Sequence, residues 1–203
     1  VAHGCAVLLR HPPVFDGAED RNGHRNHDEI RFWADYLSAD RAGYIHDDRG
    51  HRGGLVRAGQ GKRATGFVIM GDQNADPVDG GSYRQAVRRL LDHPLVAVTA
   101  APRSAGAAQA ALRQGGANAA QRGDPAEDTA DFDDHDSGNL RADYVLASRD
   151  LKVCGSGVFW PRDDDPLWRL VNDDVGASSV HRLVWADLGF EAQRSWNSMP
   201  TGQ

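Results

Sequence analysis

Phe67-Val68-Ile69-Met70 is a run of four apolar residues that stops at Gly71-Asp72-Gln73-Asn74. A run that short, without polar alternation, reads as a strand buried on both faces, and such strands lie at the centre of sheets covered by helices. The chain is therefore expected to be layered, with helices packed on a sheet. Periodicity predicts where the helices are. Ile30, Trp33, Ala34 and Leu37 share one face at helical spacing, which predicts a helix from Asp28 to about Ser38, capped near Asn26 or His27. Ser82 is placed to cap a second helix through Leu91, with Ala86, Val87, Leu90 and Leu91 turned inward. A shorter helix is expected over 107–113, in a segment from 100 to 139 that otherwise reads as long loop.

Further strands are expected at Ala6–Leu9, ended by Pro12-Pro13, and at 95–98, 143–146, 153–159 and 182–187. Helices and strands alternate early and strands dominate late, so the fold class is α/β or α+β.

Several function classes are excluded by composition. Of 203 residues, 40% are hydrophobic and 26% charged, enough for a packed core. The net charge of -6 argues against a basic sheath for nucleic acid, so any such contact has to rest on a local patch. No stretch is long and apolar enough to span a bilayer, and the order of residues at Val1 to Cys5 is not that of a signal peptide. Cys5 and Cys154, the only cysteines, make neither a disulfide framework nor a four-sulfur zinc site, which leaves the redox compartment open. His24, His27, His46, His51 and His93 fall in polar surroundings without zinc-site spacing and read as solvated surface residues.

Two places carry candidate chemistry. Asp72 and Asn74 follow the central strand two residues apart, so in extended backbone both face one ligand. An ionised Asp accepts protons or holds a hard cation, and an Asn both donates and accepts. Read alone, the same segment is an Asx turn closing a strand. His181 and Asp143 each open an apolar strand. If those strands are neighbours, the carboxylate fixes the imidazole tautomer and raises its basicity. Taken singly, each is equally a strand-edge polar residue. His11, after its own apolar run, is a similar case.

In this order, Gly-Asp-x-Asn at 71–74, Arg-x-Asp-Tyr-Val-Leu at 141–146 and Ser-Ser-x-His-Arg-Leu-Val at 178–184 resemble the endonuclease/exonuclease/phosphatase superfamily. His11-Pro12-Pro13-Val14-Phe15-Asp16-Gly17, with Asp20-Arg21-Asn22-Gly23, resembles one bacterial, phytase-like branch whose members are often secreted. The resemblance implies a phosphoester hydrolase that uses magnesium or another divalent cation. It implies that Asp72 orients or deprotonates the attacking water and that Asn74 holds that water or a phosphate oxygen. His181 would stand over the scissile phosphate, oriented by Asp143, and His11 would make a second phosphate contact. Nucleic acid enters only as a possible substrate.

The chain departs from the superfamily pattern in two ways. The Ser-Asp-His motif reads Ser179-Val180-His181 here, and Val ligates nothing. No counterpart of the family's first half, with its Asn and metal-binding Glu, precedes Ala6. The expectation is a partial domain over 1–190 with a tail over 191–203, forming half of a four-layer two-sheet sandwich with a mixed sheet and helices on its outer face. A missing N-terminal half or a partner chain would complete the site, and alternate residues at 67–70, 143–146 and 182–185 would form a poorly covered apolar sheet face. The alternative is a degenerate or truncated, non-catalytic family member.

Overall fold

The structure, a computed structural model, describes residues 4–10, 12–15, 17–55, 66–172 and 179–189. Its class is α+β. The main sheet has the order β1-β2-β5, built from Gly4–Leu9, Phe67–Asp72 and Asp143–Ala147. The apolar run at 67–70 is its central strand, as its composition predicts. β1 runs parallel to β2 and β5 antiparallel to it. Two antiparallel pairs complete the strands: β3 (Ala130–Asp131) with β4 (Asn139–Leu140), and β6 (Lys152–Phe159) with β7 (Leu183–Gly189).

Helix α1 spans Arg21–Leu37. Its inward stripe is the expected one, with Ile30, Ala34 and Leu37 buried and Trp33 packed against them. Its start is not: the helix begins seven residues before Asp28, and Asn26 and His27 lie inside it rather than at its cap. Low helix propensity around Asn22, Gly23 and Asn26 is overridden by tertiary bonding. The Asn26 amide is fully buried and donates to the Gln73 carbonyl at 2.8 Å, tying the helix to the end of β2. His27 is buried as well, contrary to its reading as a surface residue, and its ring meets Tyr83 edge-on.

The second expected helix is broken. Arg84 and Gln85 take φ of 50° and 49°, in the left-handed region that ends a helix. A 3₁₀ turn at Tyr83–Gln85 and a short α2 (Arg88–Leu91) result, and the Ser82 hydroxyl accepts weakly from the Ala86 N–H at 3.3 Å. The inward set is retained: Ala86, Val87 and Leu90 are buried. These side chains pack with Ile30, Phe67, Ile69, Tyr144 and Leu146 into the main core on one face of the sheet.

The segment from 100 to 139 is more ordered than a loop. Ser104 caps α3 (Ala105–Gln114) by accepting from the Gly106 and Ala107 N–H groups. Gly106 is obligatory by contact, since a Cβ there would lie 2.0 Å from the Trp160 carbonyl oxygen. That approach seats Ala107 and Ala110 against Val158 and Trp160 in a second, smaller core. The segment at 95–98 makes one bridge, Val96 to Ser148, instead of a strand.

On the other face of the main sheet, Val68, Met70 and Val145 are half-buried. Leu183 and Trp185 on β7 are exposed, 66% and 42%, so apolar strand surface is left uncovered there. No helix among the described residues is long and apolar enough to cross a membrane.

Candidate active site

Two carboxylates face each other where β2 and β5 pair. Gly71, at φ 126°, takes a backbone conformation reserved for glycine, just before the strand delivers Asp72. The antiparallel register sets Asp72 directly opposite Asp143. Like charges directly opposed across strands repel. His181 enters between them. A single backbone bridge to Ala130 of β3 holds it just ahead of β7. Its Nδ1–H donates to Asp143 Oδ2 at 2.9 Å, and its Nε2 lies 3.9 Å from Asp72 Oδ2.

Each member is fixed by its own partners. Asn74, at φ 46° in a conformation Asn tolerates, turns back on Asp72. Its backbone N–H donates to Asp72 Oδ1 at 2.7 Å and its amide to Oδ2 at 2.6 Å. The same amide nitrogen donates to the Arg10 carbonyl at 2.9 Å, so its Oδ1 is the atom left for a water or ligand. Thr129 does the equivalent work for Asp143. Its hydroxyl donates to Asp143 Oδ2 and accepts from the Ala142 and Asp143 N–H groups, all at 2.9 Å. Phe132 meets the His181 ring edge-on at 5.5 Å.

Beside His181, the buried Arg182 pairs with Asp131 at 2.9 Å, bonds the Ser179 carbonyl and lies over the Trp160 ring. This clamp anchors the strand segment that presents the imidazole.

These contacts set the charge states. Burial pushes Asp72 up to about 6, with Asp143 adding to the rise, while His181 and the two Asn74 bonds oppose it. The hydrogen bond to Asp143 raises the His181 pKa above its ordinary value, against burial, which lowers it. The arrangement therefore provides a carboxylate that exchanges a proton near neutrality beside an imidazole that favours the protonated form.

Residues 1–185 match the model of the endonuclease/exonuclease/phosphatase family. The chain belongs to that family. No curated protein and no solved structure matches the chain. Members of this family are metal-dependent phosphoesterases or nuclease-like hydrolases, and at that level this chain is a hydrolase. A divalent cation fits its donor set. Oxygens of Asp72 and Asp143 and a ring nitrogen of His181 lie within 4.8 Å of one another, and with the ring protonated the two carboxylates are the ligands of that set. Two opposed, half-buried carboxylates are hard oxygen donors whose repulsion a cation relieves.

Four of the five family positions expected from sequence, Asp72, Asn74, Asp143 and His181, thus converge at one end of the main sheet. The fifth, His11, lies outside the described residues. The supporting set was not legible from motif spacing. Thr129 sits fourteen residues before Asp143 with no pattern linking them. Arg10 is half-buried near Asp72 and reaches Gln73 Oε1 at 3.4 Å, and none of the short motifs includes it. The Asp131–Arg182 clamp spans fifty-one residues and has no local signature.

Proposed function

We propose that this chain hydrolyses phosphate esters in a magnesium-dependent reaction at the Asp72–Asn74–Asp143–His181 cluster. One observation carries the reading: His181 bridges the facing carboxylates of β2 and β5, bonding Asp143 at 2.9 Å and approaching Asp72 at 3.9 Å. In this reading Asp72 takes the proton of the attacking water. Asn74 Oδ1 accepts from the same water and orients it. His181, held by Asp143, points Nε2–H at a phosphate oxygen and offers positive charge where negative charge grows. Asp143, itself held by Thr129, fixes the ring orientation and favours its protonated form. Asp72 and Asp143 would hold the cation, which supplies further neutralisation of the phosphoryl oxygens. Magnesium prefers octahedral oxygen coordination, so water, substrate or a further protein segment would provide the remaining ligands.

We assign the chain to the bacterial phytase-like branch, whose members are often secreted, on the His11-Pro12-Pro13-Val14-Phe15-Asp16-Gly17 segment with Asp20-Arg21-Asn22-Gly23. The experiment is hydrolysis of bis-p-nitrophenyl phosphate and of p-nitrophenyl phosphate with magnesium and with EDTA. Magnesium-dependent release that Asp72→Asn abolishes is the expected result. Release that EDTA and Asp72→Asn leave unaltered would overturn it.

A non-catalytic reading rests on Val180. Its side chain is 42% exposed beside the site and offers no ligand, while its carbonyl accepts from the Asp131 N–H. A protein that binds phosphate esters and leaves them intact would favour it.

A further inference from the structure

Asn26 stands in the buried stripe of α1 that Ile30, Ala34 and Leu37 continue, and it is as fully buried as Ile30. An apolar residue there would extend the stripe without desolvating an amide, and Asn is a weak helix former. The stability of the helix alone gives no reason for an amide at this place.

Its partner supplies one. Asn26 Nδ2–H donates to the Gln73 carbonyl at 2.8 Å. That carbonyl and the Asn74 N–H belong to one peptide unit, which is planar and rigid. The N–H at the far edge of the unit donates to Asp72 Oδ1 at 2.7 Å. Asn26 is therefore separated by a single peptide plane from the bond that fixes the Asp72 carboxylate. A hydrogen bond at the carbonyl also polarises the peptide and strengthens its N–H as a donor.

Strand geometry makes this reach possible. Successive side chains point to opposite faces, so Asp72 faces the cluster while Gln73 turns toward α1. The Gln73 side chain meets Arg10, which lies over the Trp33 ring of α1. The Gln73 N–H donates to the Ala142 carbonyl at 2.8 Å, which holds that residue to β5 as well. Beyond it, Asn74 sits at φ 46°, a conformation that costs energy in any residue with a Cβ. Turning the Gln73–Asn74 peptide over would relieve that strain. It would also set a carbonyl against the Asp72 carboxylate and take the N–H away.

We propose that Asn26 is a positioning residue for the reaction: from inside α1 it holds the Gln73–Asn74 peptide in the orientation that bonds Asp72 and turns Asn74 back on the site. The use of this tie in turnover rests on the phosphoesterase reading above, and the tie itself does not.

The test is Asn26→Leu, which keeps the size and removes the donor, with two readouts. In proton–nitrogen correlation spectra recorded in EDTA, the Asn74 amide proton, moved downfield by its bond to a carboxylate, should shift upfield. In hydrolysis of p-nitrophenyl phosphate at saturating magnesium, kcat should fall about 10- to 100-fold with KM unaltered, the cost of misplacing a group by about 1 Å. Arg25→Gly weakens the same helical turn from its exposed side and should change neither readout. If Asn26→Leu does not give a native circular dichroism melt, Asn26→Ser, whose hydroxyl is too short to reach the carbonyl, decides with the same expectation. An Asn74 amide that stays in place overturns the proposal. So does an Arg25→Gly variant that reproduces both changes, since the effect is then one of helix stability. A loss carried by KM overturns it too, because Asn26 would then serve substrate binding. The two readings fail separately: a wild type without hydrolysis and a shifted amide in the variant remove the phosphoesterase reading and keep the tie, and hydrolysis with an unmoved amide does the reverse.

Discussion

Two groups of half-buried or buried carboxylates among the described residues differ in what surrounds them. At the end of β2 and β5, Asp72 receives two bonds from Asn74, and Asp143 receives bonds from Thr129 and His181. Just after the 3₁₀ turn Pro125–Glu127, Asp128 is buried with no partner for its Oδ2, near Asp76, Asp79, Asp124 and Glu127. Burial raises the pKa in both places, to about 6 for Asp72 and to about 8 for Asp128. Asp72 has donors and an imidazole to support its charge, while the charges that act most on Asp128 are the like ones of Asp76, Asp79, Asp124 and Glu127. The first group is therefore poised to exchange a proton near neutrality, and the second is held neutral until alkaline pH. The same residue type, similarly buried, supports chemistry in one place and carries a latent instability in the other.

Removing the imidazole should break the contrast most. His181→Ala and Asp143→Asn should each lower hydrolysis of bis-p-nitrophenyl phosphate by on the order of 10³-fold, as expected for the loss of a positioned proton donor or of its orienting partner. Steady-state rates with unaltered melting curves check this. A smaller loss is expected when only the support goes. Thr129→Val removes the hydroxyl bond to Asp143 and orphans two N–H groups, and should cost about 10- to 100-fold in activity. A Thr129→Ser variant should restore most of it.

The Asp128 side of the comparison is read through stability. Its folded pKa lies above the unfolded value of 3.8, so the native state holds the proton longer. The contribution of Asp128 to stability is then greatest below about 4 and falls as pH rises toward about 8. Between pH 6 and 8 the loss should be about 1 to 2 kcal/mol, below the limit of about 1.4 kcal/mol per unit because water screens part of it. Asp128→Asn, an isostere of the neutral acid, should flatten this dependence in urea unfolding at the two pH values. A wild type with no such slope would mean that Asp128 is charged and partnered in solution.

The smallest effect concerns Val180. Val180→Asp adds a carboxylate next to His181 and should tighten magnesium activation by about 10-fold. Identical magnesium titration curves would show that an acid at this position is dispensable here.

How far the sequence was readable follows the same contrast. Asp72, Asn74, Asp143 and His181 were legible because strand ends and short motifs mark them locally. The central strand and the stripe of α1 were legible because burial sets their period. What escaped was decided by long-range contact. The early start of α1 depends on Asn26 reaching Gln73, forty-seven residues away. The break at Arg84 and Gln85 is a backbone choice that no side-chain pattern signals. Asp128 reads as one more acid in an acidic segment until the fold buries it.

As a cation-dependent phosphoesterase centre, the bridged carboxylate pair needs both its imidazole and a metal. The most direct measurement is the initial rate of bis-p-nitrophenyl phosphate hydrolysis against magnesium concentration, for the wild type and for His181→Ala. The wild-type rate should rise saturably with magnesium, a rise removed by EDTA and lowered by on the order of 10³-fold in the variant. Wild-type and variant curves that coincide at every magnesium concentration would contradict it.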